Sequence, residues 1–262
     1  MTVVRAAAIQ TAPVFGDIDG NIARALARVP RDADLAVLPE LCSTGYLFTG
    51  RDELRDLAEP VPDGPTCRAL AEHAAGAGTT LVAGLAERAG DRLYNSAVLV
   101  RPDRSVEVYR KLHLFAGEKD IFDPGDLGLP VFAACGTTIG MMVCFDWLFP
   151  EACGTLARRG ARIVAHPSNL VLPHCPDAMP VRALENRVFT VTANRTGVEE
   201  RAGRRLRFIG RSLIASPRAE RVAECGGAGE ETARADLDLS LCDPYITPVN
   251  HVVADRRPEY YA

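Results

Sequence analysis

The residues of this chain that could carry chemistry together are Cys144, Glu40 and Lys111. A cysteine sulfur attacks a carbonyl or nitrile carbon. A carboxylate within hydrogen-bond reach takes the thiol proton and later activates water. A lysine ammonium stabilises the negative charge that develops on the attacked substrate. Singly, each has a plainer reading. The chain has eight cysteines (Cys42, Cys67, Cys135, Cys144, Cys153, Cys175, Cys225 and Cys242), and a free cysteine is usually a small buried hydrophobe. A lone Glu or Lys in a loop is usually solvated.

Placement separates these three from the rest. The apolar run Thr138–Val143 ends abruptly in Cys144, and Pro150-Glu151 then reads as the first turn of a helix. Cys144 is therefore expected on a sharp strand-to-helix turn, where a nearby helix N-terminus would favour the thiolate. Glu40 follows the strand-like run beginning at Leu35, and Lys111 follows the run Val106–Arg110. All three lie just past the carboxyl end of an expected strand, the edge at which open α/β sheets build their sites.

The elements that must position them alternate between strand and helix patterns. Strands are expected at Val3–Gln10, Leu35–Leu38, Thr80–Leu85, Ser96–Val100, Val106–Arg110, Thr138–Val143, Ile163–His166, Val188–Asn194, Gly210–Ser216 and Glu231–Asp236. Helices are expected at Asp19–Arg28, Pro65–Ala75, Pro150–Arg159 and Met179–Asn186, with Gly76 and Gly160 as stops. Arg101-Pro-Asp-Arg104 reads as a hairpin turn, and the glycine-rich Cys225–Glu230 as a turn between two late strands. The pattern is α/β with mixed strand pairing. No linker divides the chain, so a single domain over 1–262 is expected, with 243–262, which holds Pro244, Pro248 and Pro258, as a C-terminal extended arm.

Composition narrows the function classes. The 262 residues are 47% hydrophobic and 24% charged with a net charge of -4. That balance fits a globular protein and gives no electrostatic case for nucleic acid or an anionic membrane surface. No apolar run approaches the roughly 20 residues that span a bilayer. The first ten residues read as a strand rather than a basic leader. The scattered cysteines contain no CxxC pair, and a cytoplasmic protein with reduced thiols is expected.

The segments around the three reactive residues resemble the signature segments of the nitrilase superfamily, the carbon–nitrogen hydrolases. They are Leu38-Pro-Glu40 with Thr44-Gly-Tyr46, then Tyr109-Arg-Lys111-Leu-His113-Leu, then Val143-Cys144-Phe-Asp146-Trp. The resemblance continues through Ala165-His-Pro-Ser168-Asn169, Arg182-Ala-Leu-Glu185-Asn186 and Gly210-Arg-Ser212 to Arg256-Arg-Pro-Glu-Tyr260. It implies a four-layer αββα sandwich of two mixed β-sheets. It also implies that Glu40 is the general base, Lys111 the oxyanion stabiliser and Cys144 the nucleophile. Glu118 becomes the second glutamate that follows the lysine. Tyr46, Phe145, Ser168 and Asn169 become substrate-binding residues, with the backbone N–H of Phe145 on the oxyanion.

By the same resemblance no metal and no organic cofactor is used, and a homodimer or higher homo-oligomer is expected. The expected substrate is a small aliphatic amide, hydrolysed through a thioester. Phe145-Asp146 after the cysteine weakens the case for a true nitrilase. The short chain nevertheless also looks like compact nitrilases of small aliphatic nitriles, and N-carbamoyl amines are a further alternative. A catalytically silent member that binds a metabolite or protein is the reading from another class, against which the intact reactive set argues. His166, His174 and Cys175 lie close in sequence but lack metal-ligand spacing. His174 and Cys175 are instead expected near the pocket wall, and Trp147 is expected to pack. Arg201–Arg207, with four arginines, reads as a solvated hairpin tip.

Overall fold

The computed structural model describes residues 3–261, so Met1, Thr2 and Ala262 of the expected domain lie outside the described residues. In chain order the strands are β1 (Val3–Gln10), β2 (Leu35–Val37), β3 (Thr80–Ala89), β4 (Arg92–Val100), β5 (Val106–Arg110), β6 (Val131–Ala134), β7 (Thr137–Met141) and β8 (Ile163–Ser168). They continue as β9 (Phe189–Asn194), β10 (Thr196–Arg201), β11 (Arg204–Ile209), β12 (Leu213–Ala215), β13 (Arg221–Glu224), β14 (Glu231–Asp238), β15 (Tyr245–Thr247) and β16 (Asn250–His251). The helices are α1 (Ile18–Leu26), α2 (Arg51–Leu57), α3 (Pro65–Ala77), α4 (Pro150–Arg158) and α5 (Cys175–Asn186).

Two six-stranded sheets form, ordered β14-β1-β2-β3-β4-β5 and β13-β12-β9-β8-β7-β6. They share one plan. Three central strands run parallel (β1, β2 and β3; β7, β8 and β9), and antiparallel strands flank them on both sides. The period of two along each strand sorts side chains between layers. Val4, Ala6, Ala8, Leu35, Val37 and Val82 face Ile139, Met141, Ile163 and Val191 in the core between the sheets. Ala7, Ile9, Ala36, Leu38, Leu81 and Ala83 face outward onto Ile22, Ala25, Leu70 and Ala74 of α1 and α3. Ala183 of α5 packs with Leu213 and Ala215 on the far side. The result is the αββα sandwich.

Several elements differ from expectation for identifiable reasons. β6 and β13 are edge strands with little buried surface, so they carry no apolar alternation. α2 buries one residue, Leu54, and shows no stripe. α3 runs through Gly76 to Ala77, and the left-handed stop is Gly78. α5 begins at Cys175 because Pro176 fits a first turn and Pro180 is accommodated inside the helix. The Cys225–Glu230 turn joins strands of different sheets, since β13 pairs β12 whereas β14 pairs β1. Gln10 Nε2 anchors that crossover by donating to the carbonyls of Gly226 and Gly229, both at 2.9 Å.

The Arg201–Arg207 segment turns the β10–β11 hairpin, but two of its arginines are tied down rather than solvated. Arg201 donates to Leu47 O at 2.9 Å, pairs with Glu53 at 2.8 Å and stacks on Phe15. Arg204 donates to Phe48 O. After Asp243 the chain forms the small β15–β16 hairpin and returns beside α4, where Val252, Val253 and Tyr261 help line a cavity of about 570 Å³. Among the described residues no helix is long and apolar enough to cross a membrane.

Candidate active site

Glu40, Lys111 and Glu118 meet in one buried ion cluster. Lys111 Nζ donates to Glu40 Oε1 at 2.7 Å and to Glu118 Oε1 and Oε2 at 2.9 and 2.8 Å. Lys111 follows directly on β5, and its backbone N–H is held by Asn95 O of β4 at 2.8 Å. Asn95 also donates through Nδ2 to Glu40 Oε1 at 2.7 Å. Glu118 lies in a 3₁₀ turn, Ala116–Asp120, and accepts Tyr46 OH at 2.7 Å and the Phe115 N–H at 3.1 Å.

Two glycines permit the approach. A Cβ on Gly84 would fall 2.4 Å from Glu40 Cα, and one on Gly125 would fall 2.1 Å from Arg110 O. Either would push a reactive loop off its sheet.

Cys144 opens a 3₁₀ turn, Cys144–Leu148, between β7 and α4, with φ +42°. The left-handed region costs a non-glycine residue about 1–2 kcal/mol, so the surroundings must impose it. Leu41, beside Glu40, and Ala116, near Glu118, are also left-handed at φ +46°. Each of the loops at Glu40, Glu118 and Cys144 thus carries one left-handed residue.

Asp146, wholly buried, fixes the turn. Its Oδ2 accepts the Val143 N–H at 2.9 Å and Tyr109 OH at 2.7 Å, and its Oδ1 accepts the His113 N–H at 3.1 Å. The His113 ring, stacked on Phe149, adds a contact from Nδ1 at 2.7 Å. His166 Nε2 lies 2.9 Å from Cys144 O.

The electrostatics correct one expectation. Cys144 is pushed well above the ordinary thiol range, first by burial and second by the Glu40 charge, which together outweigh the pull of Lys111 and a backbone hydrogen bond from Asn169. Cys144 therefore rests as a thiol, because desolvation and the neighbouring carboxylates disfavour the thiolate. Burial likewise raises Glu40, with the Glu118 charge adding and Lys111 opposing. For Lys111 burial works against the charge, but the carboxylates of Glu118 and Glu40 prevail and hold it above its usual value. Lys111 therefore stays a cation held between the carboxylates of Glu40 and Glu118.

A cavity of about 120 Å³ opens on Cys144, walled by Phe115, Phe145, Trp147, Leu170 and Leu172, with His174 at its exposed rim. This is small beside the roughly 300–1,000 Å³ of typical ligand pockets. Asn169 lines it, and both side-chain polar atoms of Asn169 are buried without a hydrogen-bond partner among the described residues. Glu40 Oε2 is in the same condition. The Asn169 amide is thus open to pairing with a polar group that enters the cavity.

Tyr46 sits by Glu118 in an adjoining cavity. Ser168 lies behind the wall, its hydroxyl 3.2 Å from His166 Nε2. Cys175 is buried in the core and turned from the cavity, and Trp147 both packs on the core and lines the cavity.

The model of the carbon–nitrogen hydrolase family matches residues 5–247. The chain belongs to the carbon–nitrogen hydrolase family. A protein of Pyrococcus abyssi named a nitrilase is 47% identical over 98% of this chain and 99% of its own length. An (R)-stereoselective amidase of a Pseudomonas species is 34% identical over 89% of this chain and 84% of its own. A crystal structure of a carbon–nitrogen hydrolase from Helicobacter pylori superposes with a TM-score of 0.88 at 26% identity, covering 99% of this chain and 97% of that one. The fold of this hydrolase is thus the nitrilase fold, and the protein is an enzyme of carbon–nitrogen bond hydrolysis.

Sequence reasoning missed three supports of the carbon–nitrogen hydrolase site. His166 was weighed only as a metal ligand, Asp146 only as a flanking residue, and the buried Arg195–Glu199 pair not at all. Glu199 accepts the backbone N–H groups of Tyr46 and Leu47, and Arg195 reaches Pro13 O at 2.9 Å. The Tyr46 loop is thereby tied to Glu199 within β10. The polar character of His166 in an apolar strand was the available signal.

Proposed function

We propose that this enzyme hydrolyses small aliphatic amides to carboxylate and ammonia, with Cys144 as nucleophile. The observation that carries the reading is the Glu40–Lys111–Glu118 cluster next to a buried thiol. Glu40 takes the thiol proton as sulfur bonds to the amide carbon. Lys111 and the Phe145 N–H receive the charge that develops on oxygen. The proton passes from Glu40 to the departing nitrogen, and ammonia leaves a thioester on Cys144. Glu40 then takes a proton from water, hydroxide adds to the thioester, and the carboxylic acid departs as Cys144 regains its proton. The raised affinity of Glu40 for protons suits this exchange, because an amide nitrogen must be protonated to leave. Glu118 holds Lys111, and Asn169 offers unpaired polar atoms to the substrate. The small, apolar cavity favours short acyl groups.

The 47% identical Pyrococcus abyssi protein supports a second reading, nitrile hydrolysis. The first adduct is then a thioimidate, and two waters are consumed in all. Ammonia release from matched short-chain amides and nitriles tests the choice, with N-carbamoyl amines in the same panel. Turnover of nitriles alone would overturn the amide reading. Turnover of none, with no adduct on Cys144, would favour a binding protein.

A further inference from the structure

We propose that His166 is a positioning residue that aims the Phe145 N–H at the substrate by gripping the other end of the same peptide unit. The inference rests on the reading of Cys144 as nucleophile. His166 is wholly buried on β8, and its register partner on β9 is Thr192. One ring nitrogen, Nε2, lies 2.9 Å from Cys144 O, and the other, Nδ1, lies 3.1 Å from Thr192 Oγ1.

The tautomer follows from the partners. Burial depresses the imidazole to about 4, so the ring is neutral, with one N–H donor and one acceptor. A carbonyl oxygen can only accept. Nε2 therefore carries the proton, and Nδ1 accepts from the Thr192 hydroxyl. Ser168 Oγ, 3.2 and 3.4 Å from the two nitrogens, closes the remaining side.

The carbonyl of Cys144 and the N–H of Phe145 belong to one planar, trans peptide unit, in which C=O and N–H point in opposite directions. Fixing the oxygen on His166 therefore fixes the direction of the hydrogen. The grip falls where it is needed, since Cys144 is left-handed at φ +42° and its following peptide would otherwise relax. Phe145 is the second residue of its 3₁₀ turn, so its N–H has no acceptor within the turn and is available. Among the described residues the His166 ring makes no hydrogen bond to the thiol or to a carboxylate. Its influence passes through the backbone alone.

The test separates oxyanion stabilisation from sulfur reactivity. Amide hydrolysis needs the oxyanion contact. Alkylation of Cys144 by iodoacetamide, a displacement at saturated carbon, does not. His166→Phe should lower kcat for a small amide about 10- to 100-fold, while KM and the Cys144 alkylation rate, followed by peptide mass spectrometry, stay within about threefold. His166→Gln, which keeps an N–H donor, should recover much of kcat. An unchanged kcat in His166→Phe, or alkylation falling in step with kcat, would overturn the proposal. If His166→Phe fails to fold, His166→Met carries the same comparison. Amide turnover persisting in Cys144→Ala would instead sink the nucleophile assignment itself.

Discussion

Lys111 and Glu40 are joined at 2.7 Å although neither side chain has any exposure to solvent. Removing the cation leaves two buried carboxylates facing each other, since Glu118 lies 2.8 Å from the same nitrogen. Breaking a buried pair from one side costs about 3–5 kcal/mol. Lys111→Met should therefore lose activity and unfold at a clearly lower temperature. Glu40→Gln keeps an oxygen for Lys111 and Asn95, so it should stay folded. In the proposed mechanism it removes the base, so kcat should fall about 10²- to 10⁴-fold. Calorimetry beside steady-state kinetics checks the contrast. Equal stability losses in the two variants would contradict it.

Activity should have an acid limb set by Glu40. In the proposed mechanism Glu40 works only when ionised, and burial holds its carboxyl above the ordinary value of 4.5. The rate should therefore rise with pH through a midpoint above 4.5. Cys144 does not set this limb, because its thiol is pushed upward, out of that range. The pH profile of kcat/KM is the measurement, and a midpoint at or below 4.5 would contradict it.

His166 makes stability depend on pH in the opposite part of its own titration. Its folded value is lowered from 6.5 to about 4 by burial. Between those values the unfolded chain binds the proton and the folded chain does not, so stability is lost as pH falls through this window. The shift corresponds to about 3 kcal/mol once pH is below both values. Acid-exposed carboxylates add their own losses, so the comparison is with His166→Gln, whose stability should decline less between pH 6.5 and 4. Parallel curves from denaturant melts would refute the assignment.

The strands that lead to Glu40, Lys111 and Cys144 were legible because apolar or β-branched runs end just before those residues. β1 and β5 carry strong alternation or β-branched runs, and their observed bounds coincide with the expected ones. α2 and β13 were not legible, since burial of a residue or two leaves no pattern to read. The upward push on the Cys144 thiol was not legible for a different reason. Local sequence shows a helix start after the cysteine, but not the burial and the Glu40 charge that arrive from distant segments. Asn169 was visible as a polar residue. That both its polar atoms would be left unpaired beside Cys144 depends on packing no spacing encodes.

Asp146 joins the two reactive loops, and its loss should exceed that of any single hydrogen bond. Oδ2 receives Tyr109 OH and the Val143 N–H, while Oδ1 receives the His113 N–H and meets His113 Nδ1. An asparagine cannot replace it, because either orientation of the amide aims its NH₂ at a backbone N–H. With buried donors left unpaired at about 1–3 kcal/mol each, Asp146→Asn should lose roughly 2–4 kcal/mol. Because Val143 precedes Cys144 and His113 follows Lys111 by two residues, kcat should fall as well. Tyr109→Phe removes the hydroxyl's bond to Asp146 and takes from the Leu112 N–H an acceptor 3.3 Å away, so it should cost about 1–2 kcal/mol. The double variant should lose less than the sum of the two, since the residues share one contact. Urea melts of the three proteins measure this coupling, and strict additivity would show that Tyr109 and Asp146 act independently.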